Sequence, residues 1–236
     1  MSGMMEFDGE PLTPERKAEL RGSEIVFIPQ SVDFLDPLMK VGKQVKGVRG
    51  TLEKVRRAFS RYGLAEEVEE MYPFQLSGGM ARRVLISTAV MENAKLIIAD
   101  EPTPGLDLEM AMETLRNFRE LADQGCGVLL ITHDIDLALN VADRIAVFYA
   151  GTTVEICQAS DFRGDGSALR HPYSRAFIEA LPQNGFKPIS GTQPYAGELP
   201  EGCLFAPRCT RRTAECCGDI EMRCLRGGEV RCIHAT

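Results

Sequence analysis

The chain has 236 residues, 44% of them hydrophobic and 26% charged, with a formal net charge of −7. That length suits one domain plus an appendage, and that balance suits a globular protein. The acidic charge argues against generic nucleic-acid binding, which needs a basic face. No apolar run approaches the roughly 20 residues of a membrane helix, and Met1-Ser2-Gly3-Met4-Met5 lacks the basic-then-apolar order of a signal peptide.

Glu24–Pro29 reads as a strand stopped by proline. Residues 36–50 read as loop, with Asp36-Pro37 and several glycines. From Thr51 to about Glu70 the pattern is helical, with Leu52, Val55, Phe59 and Tyr62 three or four apart, until Gly63-Leu64 breaks it. Ser77 starts the next helix: its hydroxyl can cap the first turn, and Gly78-Gly79 allow another molecule to approach closely. Val84, Leu85, Thr88 and Ala89 form one buried stripe there, with Arg82 and Arg83 mainly on the other side.

Lys95–Ala99 is a continuous apolar run, typical of a strand covered on both faces. Helical spacing returns over 108–122. Val128–Ile131 is a second buried strand, followed by a helix from Asp134 to Ala142. Ile145–Tyr149 is a third strand, with Thr152–Ile156 as a hairpin partner. This alternation predicts an α/β domain with a mainly parallel sheet. Beyond Ser160, His171-Pro172-Tyr173 opens a short helix ending near Leu181-Pro182, residues 183–202 read as a linker, and a Cys-rich tail closes the chain. There is no long-period internal repeat.

In an open parallel sheet the ligand crevice lies outside the carboxyl ends of the strands. Asp100-Glu101 falls at such an end, ahead of Pro102, and His133 follows the next strand. An Asp there can hold Mg²⁺, the adjacent Glu can polarise a water, and the His can contact a phosphate. Either acid alone could equally be a solvated turn, and a lone His is more often structural. Their shared placement favours a phosphate site. Gln30, just past the first strand, could reach metal or water. The start of the Ser77 helix offers free N–H groups and a favourable dipole to an anion.

The series Gln30, Leu76-Ser77-Gly78-Gly79-Met80, Leu96 to Thr103, Gly105-Leu106-Asp107 and His133 resembles an ABC-transporter ATPase. In order these match the Q-loop, signature, Walker B, D-loop and H-loop. Met80 in the signature, His171-Pro172-Tyr173-Ser174-Arg175-Ala176 with Leu181-Pro182, and Gly202 to Cys209 are similar to the oligopeptide, dipeptide and nickel importer branch. The resemblance runs from about Glu6 to Cys232. It implies an ABC-type nucleotide-binding domain over 1–158, with a helical subdomain at about 36–93, and a C-terminal extension over 159–236.

By that resemblance Asp100 binds Mg²⁺, Glu101 is the catalytic base or orients the water, and His133 senses the γ-phosphate. Gln30 couples the site to a membrane subunit. Ser77, Gly78 and Gly79 cap ATP held by a partner ATPase, Asp107 lies at the dimer interface, and residues 36–75 dock on a permease. The implied partners are a second ABC ATPase, transmembrane permeases and, indirectly, an extracytoplasmic binding protein, with the chain peripheral on the cytoplasmic face of the membrane.

Six cysteines, Cys203, Cys209, Cys216, Cys217, Cys224 and Cys232, crowd the tail, whereas Cys126 and Cys157 lie alone in apolar surroundings as buried small residues. Without a secretion signal, a metal or iron–sulfur site is a better reading of the tail than a disulfide scaffold. Some members of the resembled branch carry a four-cysteine iron–sulfur cluster there, which implies Cys203, Cys209, Cys216 and Cys232 as ligands of a [4Fe–4S] cluster. Zinc is the main rival. Cys217 could replace Cys216, and Cys224 is a spare. Arg208, Arg211, Arg212, Arg223, Arg226 and Arg231 would offset thiolate charge, or form a solvated basic face.

One departure stands out: no Gly-x-x-x-x-Gly-Lys-Ser/Thr occurs. Met5-Glu6-Phe7-Asp8-Gly9 resembles the strand that comes after the P-loop helix in the family, which implies an N-terminally truncated cassette, a P-loop NTPase fold lacking its P-loop unit. Charge-assisted phosphate contacts are worth roughly 1.5–3 kcal/mol each, so the chain alone is expected to be inactive. The functional expectation is an ATP-hydrolysing subunit, or a fragment of one, of a bacterial importer for peptides or nickel. The alternatives are a non-hydrolytic partner supplying only the signature half of a composite ATP site, and a metal- or redox-sensing interaction module built on the tail.

Overall fold

The computed structural model describes residues 4–47, 50–90 and 94–236. Met1–Gly3, residues 48–49 of the predicted loop and residues 91–93 at the end of the expected helical subdomain lie outside the described residues. The chain divides into two compact units, one up to Val141 and one from Ala142 onward.

The first unit opens with a hairpin, β1 (Glu6–Phe7) and β2 (Glu10–Pro11), turning through Asp8 and Gly9 at positive φ. Thr13 caps α1 (Pro14–Leu20), whose proline needs no amide partner at that position. Strands β3 (Ile25–Ile28), β4 (Leu96–Asp100) and β5 (Gly127–Ile131) then form a three-stranded parallel sheet in that order. Between β3 and β4 lie α2 (Val41–Lys46), α3 (Leu52–Arg61) and α4 (Gly78–Val90). After β4 comes α5 (Leu108–Asp123), and after β5 the short α6 (Ile135–Ala138).

Two cores result. Leu35, Val41, Val45, Val55, Phe59 and Val68 pack with Ala81, Val84 and Leu85 of α4 in one. In the other, Val26, Ile28, Ile97 and Ala99 of the sheet meet Ile86 and Ala89 of α4 and Leu115 and Phe118 of α5. Helix α4 therefore belongs to both. The opposite face of the sheet stays open, with Phe27, Leu129 and Ile131 49%, 52% and 47% exposed. Lys95–Ala99 and Val128–Ile131 are strands as expected, but only one of their faces is covered.

Three local expectations are corrected. Residues 36–50 are not all loop: α2 lies within them, and Gly42 is there because a Cβ would come within 2.6 Å of the Glu69 carbonyl oxygen. The helix after Asp134 ends at Ala138, in turns, rather than at Ala142. Arg82 does not lie on an open side of α4 but is 7% exposed, its guanidinium bonding backbone carbonyls.

The second unit is an antiparallel sheet of β6 (Arg144–Tyr149), β7 (Thr152–Gln158), β8 (Arg223–Leu225) and β9 (Gly228–Val230), in the order β6-β7-β9-β8. The hairpin of β6 and β7 was expected; that it pairs with tail strands through Glu155 opposite Val230 was not. This pairing groups residues 144–158 with the tail rather than with the unit that holds β5. Helix α7 (Pro172–Glu179) begins at the His171-Pro172 signal. Glu155 is wholly buried, accepting from the amides of Arg170 (2.8 Å) and His171 (2.9 Å) and from the Arg170 guanidinium (3.3 Å). Arg170 also reaches Asp161 (2.8 Å) and the carbonyls of Leu225 and Arg226. Cys157 is buried and its thiol is pushed up to about 12, chiefly by desolvation, whereas Cys126 is only half-buried.

Candidate functional site

Parallel register brings the ends of three strands to one edge. Ile28 is beside Ala99, and Asp100 beside Ile131. Gln30, Asp100-Glu101 and His133 therefore all lie at the carboxyl edge of the sheet, where a ligand crevice is expected.

Glu101 is the best-determined of them. Its backbone adopts φ 46°, unusual for a residue with a side chain, and its amide donates to the Ile131 carbonyl at 2.9 Å. Left-handed conformations of non-glycine residues gather at functional sites, where surrounding contacts enforce them. Glu101 Oε1 accepts from the His133 amide (3.1 Å) and lies 2.7 Å from His133 Nδ1, while Oε2 accepts from the Thr132 hydroxyl (3.4 Å). That hydroxyl in turn accepts from the Asp134 amide, and Asp134 caps α6. The Glu101 side chain is 15% exposed and that of His133 80%. The hydrogen bond and the charge of Glu101 raise the His133 pKa above its ordinary value. With Nδ1 turned to Glu101, Nε2 is left for a ligand.

Asp100 is half-buried, and its side chain has no hydrogen-bond or ion-pair partner among the described residues, so its carboxylate is available to a cation. Gln30 is exposed, and its carbonyl is fixed by Arg82, which also donates to the Pro29 carbonyl at 3.0 Å. Desolvation lowers the Arg82 pKa, partly opposed by the nearby charge of Glu101. Sequence reasoning missed Arg82. The available signal was that α4 is apolar on almost every side, so no arginine on it could be wholly solvated.

Ser77 caps α4, its Oγ accepting from the Met80 amide at 3.2 Å. Ser77 and Gly78 are exposed, and a Cβ on Gly78 would meet nothing within 4 Å. Gly79 is closer to protein, since a Cβ there would lie 3.2 Å from the Gly105 carbonyl oxygen. The Ser77 turn and the turn after Glu101 are thus neighbours. Asp107 is exposed and caps α5, accepting from the Met110 amide at 2.9 Å.

The tail contains a second candidate. Cys203, Cys209, Cys216 and Cys232 line one small cavity, with His171, Phe205, Ala206 and His234 also in its wall. Gly202 makes the approach possible. It sits at φ 73°, and a Cβ there would fall 2.3 Å from the Cys216 carbonyl oxygen. That same carbonyl accepts from the Cys203 amide at 2.9 Å. Burial raises the pKa of Cys203 and Cys232, partly opposed by backbone amides donating to their sulfurs. Cys217 and Cys224 are exposed and do not line the cavity. The tail arginines largely cap carbonyls: Arg208 those of Ile189 and Ser190, Arg231 those of Thr153 and Ile220. Among the described residues, no group of three or more His, Cys, Asp or Glu side chains is arranged to hold a metal ion.

Comparison with known proteins agrees with these features. The ABC transporter family matches residues 1–104, and the family described as "Oligopeptide/dipeptide transporter, C-terminal region" matches residues 154–216. The oligopeptide transport ATP-binding protein AppD of Bacillus subtilis is 31% identical over 92% of this chain and 71% of its own length. The dipeptide transport ATP-binding protein DppD of Escherichia coli is 33% identical over 92% of this chain and 72% of its own. Among solved structures, the dimeric ATP-binding cassette MJ0796 in a post-hydrolysis state bound to ADP and Pi aligns with a TM-score of 0.59 at 25% identity, covering 67% of this chain and 72% of that one.

The fold is that of an ABC ATPase cassette, of mixed α/β class. The chain belongs to the ABC transporter ATP-binding family, in the branch that carries the oligopeptide/dipeptide C-terminal region. Among the described residues no helix is long and apolar enough to cross a membrane.

Proposed function

We propose that this chain is the ATP-hydrolysing subunit of a peptide importer, acting in a pair of ATPases on the cytoplasmic face of a membrane. The observation carrying the proposal is that Asp100, Glu101 and His133 share one sheet edge, with Glu101 hydrogen-bonded to His133. Asp100 would hold Mg²⁺, which supplies charge neutralisation to phosphate oxygens. Glu101, locked by His133 and Thr132, orients and deprotonates water. His133, kept more protonated by Glu101, directs Nε2 toward the terminal phosphate. Ser77, Gly78 and Gly79 present helix α4 to a triphosphate carried by the partner, and Asp107 stands at the same face. Peptides are favoured over nickel because AppD and DppD are oligopeptide and dipeptide transport proteins.

Leu38 and Phe74, 87% and 76% exposed, support docking of residues 36–75 on a permease, since such side chains do not favour water. The test is ATP turnover by a mixed pair in which the partner ATPase brings a P-loop. Glu101→Gln is expected to lower kcat by roughly 10²–10⁴-fold, and Ser77→Arg to stop the site that uses this chain's signature. Unchanged rates in both variants overturn the proposal.

We further propose that Cys203, Cys209, Cys216 and Cys232 hold a [4Fe–4S] cluster, which supplies a one-electron redox centre when bound. Supporting this, all four thiols line a single cavity. Anaerobic purification should yield about four iron and four sulfide per chain. Stoichiometric zinc, or no metal, overturns it.

A further inference from the structure

His171 stands out in the sequence as the start of a helix and of the stretch that resembles the importer branch, and the hydrolytic site does not use it. Its side chain is among the most enclosed in the protein, 1% exposed. Nδ1 accepts a hydrogen bond from the Tyr173 amide at 3.0 Å, so its lone pair is committed. A neutral imidazole with an accepting Nδ1 carries its proton on Nε2. Burial pushes the His171 pKa down to about 4, which keeps the ring neutral.

That Nε2–H has no partner among the described residues. Buried donors are nearly always paired, and an orphan calls for an explanation. The explanation is in the position of the ring, which lines the cavity shared by Cys203, Cys209, Cys216 and Cys232. The surrounding wall offers little else. Phe205 lies 5.9 Å from the imidazole, ring to ring, and Ala206 and Ile220 are apolar. The other histidine of the wall, His234, is occupied through Nε2 with the Thr213 hydroxyl at 2.9 Å. The acceptor for His171 must come with whatever fills the cavity.

We propose that His171 Nε2–H donates a hydrogen bond to a sulfur of the cluster held by these four cysteines and thereby raises its reduction potential. The inference rests on the proposal that the four cysteines hold a cluster. Hydrogen bonds to cluster sulfurs favour the more negative, reduced state. The donor is rigidly held. Glu155 accepts from the amides of both Arg170 and His171, and the first turn of α7 accepts no rotation of a ring that caps it. His171 is a positioning and tuning residue rather than a ligand, since four thiolates already complete the shell.

The test compares midpoint potentials of the full chain, purified anaerobically. Iron and sulfide analysis of the unaltered protein comes first. A negative result there removes the cluster itself, and is distinct from a cluster that is present but receives no bond from His171. In His171→Asn the amide can replace the capping Nδ1 but cannot reach the Nε2 position. We expect the cluster to remain and its reduction equilibrium to become about tenfold less favourable, a drop of about 59 mV for one electron. His171→Gln, whose amide nitrogen can occupy the Nε2 position, should restore most of the shift. A loaded His171→Asn protein with unchanged potential overturns the proposal. If His171→Asn does not hold the cluster, nitrogen-15 histidine labelling of the unaltered chain reads the bond directly. A weak hyperfine coupling to the reduced cluster that disappears in His171→Gln supports the proposal, and its absence overturns it.

Discussion

Glu155→Ala tests how the second unit is held together. The Glu155 side chain is 0% exposed and that of Arg170 3%. The substitution strands the amides of Arg170 and His171, which donate at 2.8 and 2.9 Å, and leaves the guanidinium with Asp161 as its one anionic partner among the described residues. Breaking a buried pair costs about 3–5 kcal/mol, here through two stranded buried amides together with a guanidinium left to Asp161 alone. At about 2–4 °C per kcal/mol for a chain of this size, the midpoint should fall by roughly 6–20 °C. Thermal and urea unfolding followed by circular dichroism measures it. Glu53→Ala is the control. It breaks an exposed i,i+4 pair with Arg57, side chains 82% and 76% exposed, and should lose no more than about 0.5 kcal/mol. Changing Glu155 to Leu together with Arg170 to Met removes both members of the pair but leaves Asp161, the amides at 170 and 171 and the carbonyls of Leu225 and Arg226 without these partners, so recovery should be partial at most. A loss in Glu155→Ala no greater than in Glu53→Ala refutes the reasoning.

Three further outcomes are expected. Glu101→Gln should move the His133 titration down toward the ordinary histidine value, followed by nuclear magnetic resonance of its ring protons; the folded pKa is raised, so the stabilising contact is complete below about 6.5 and fades as pH rises through the raised value. An unmoved titration would show that the pair does not exist in solution. Arg82→Met frees the Pro29 and Gln30 carbonyls and should destabilise by about 2–3 kcal/mol in urea unfolding, a loss under about 0.5 kcal/mol being contrary. Gly202→Ala should separate Cys203 from Cys216 and lose bound iron, whereas Gly218→Ala, with no atom nearer than 3.4 Å to the added Cβ, should keep it. Equal iron in both would show that Gly202 does not set the cavity.

The hydrolytic edge could be read from sequence because its parts are local. A continuous apolar run such as Lys95–Ala99 followed by Asp100-Glu101-Pro102 fixes a strand, its end and the acids at that end. His133 repeats the pattern one strand later. Ser77 was legible because a hydroxyl before two glycines and a helical run has a direct capping meaning. What was not legible depends on distant backbone. Arg82 looks like a surface residue until the Pro29 and Gln30 carbonyls are placed beside it. Gly42 reads as a loop signal until Glu69 is packed against it. Strands β8 and β9, three residues each and partly charged, exist because β7 offers an edge to β9 and β9 in turn to β8. The four tail cysteines were chosen by resemblance rather than by spacing alone. Their shared cavity depends on Gly202, whose conformation no composition rule announces.

Arg82 has a mechanical consequence. Its guanidinium bolts the chain just beyond β3 to the second turn of α4, and α4 is embedded in both cores of its unit. Gln30 and Ser77 are therefore mounted on one lever with no joint between them. A shift in the backbone of the first therefore pulls on the helix that begins beside the second.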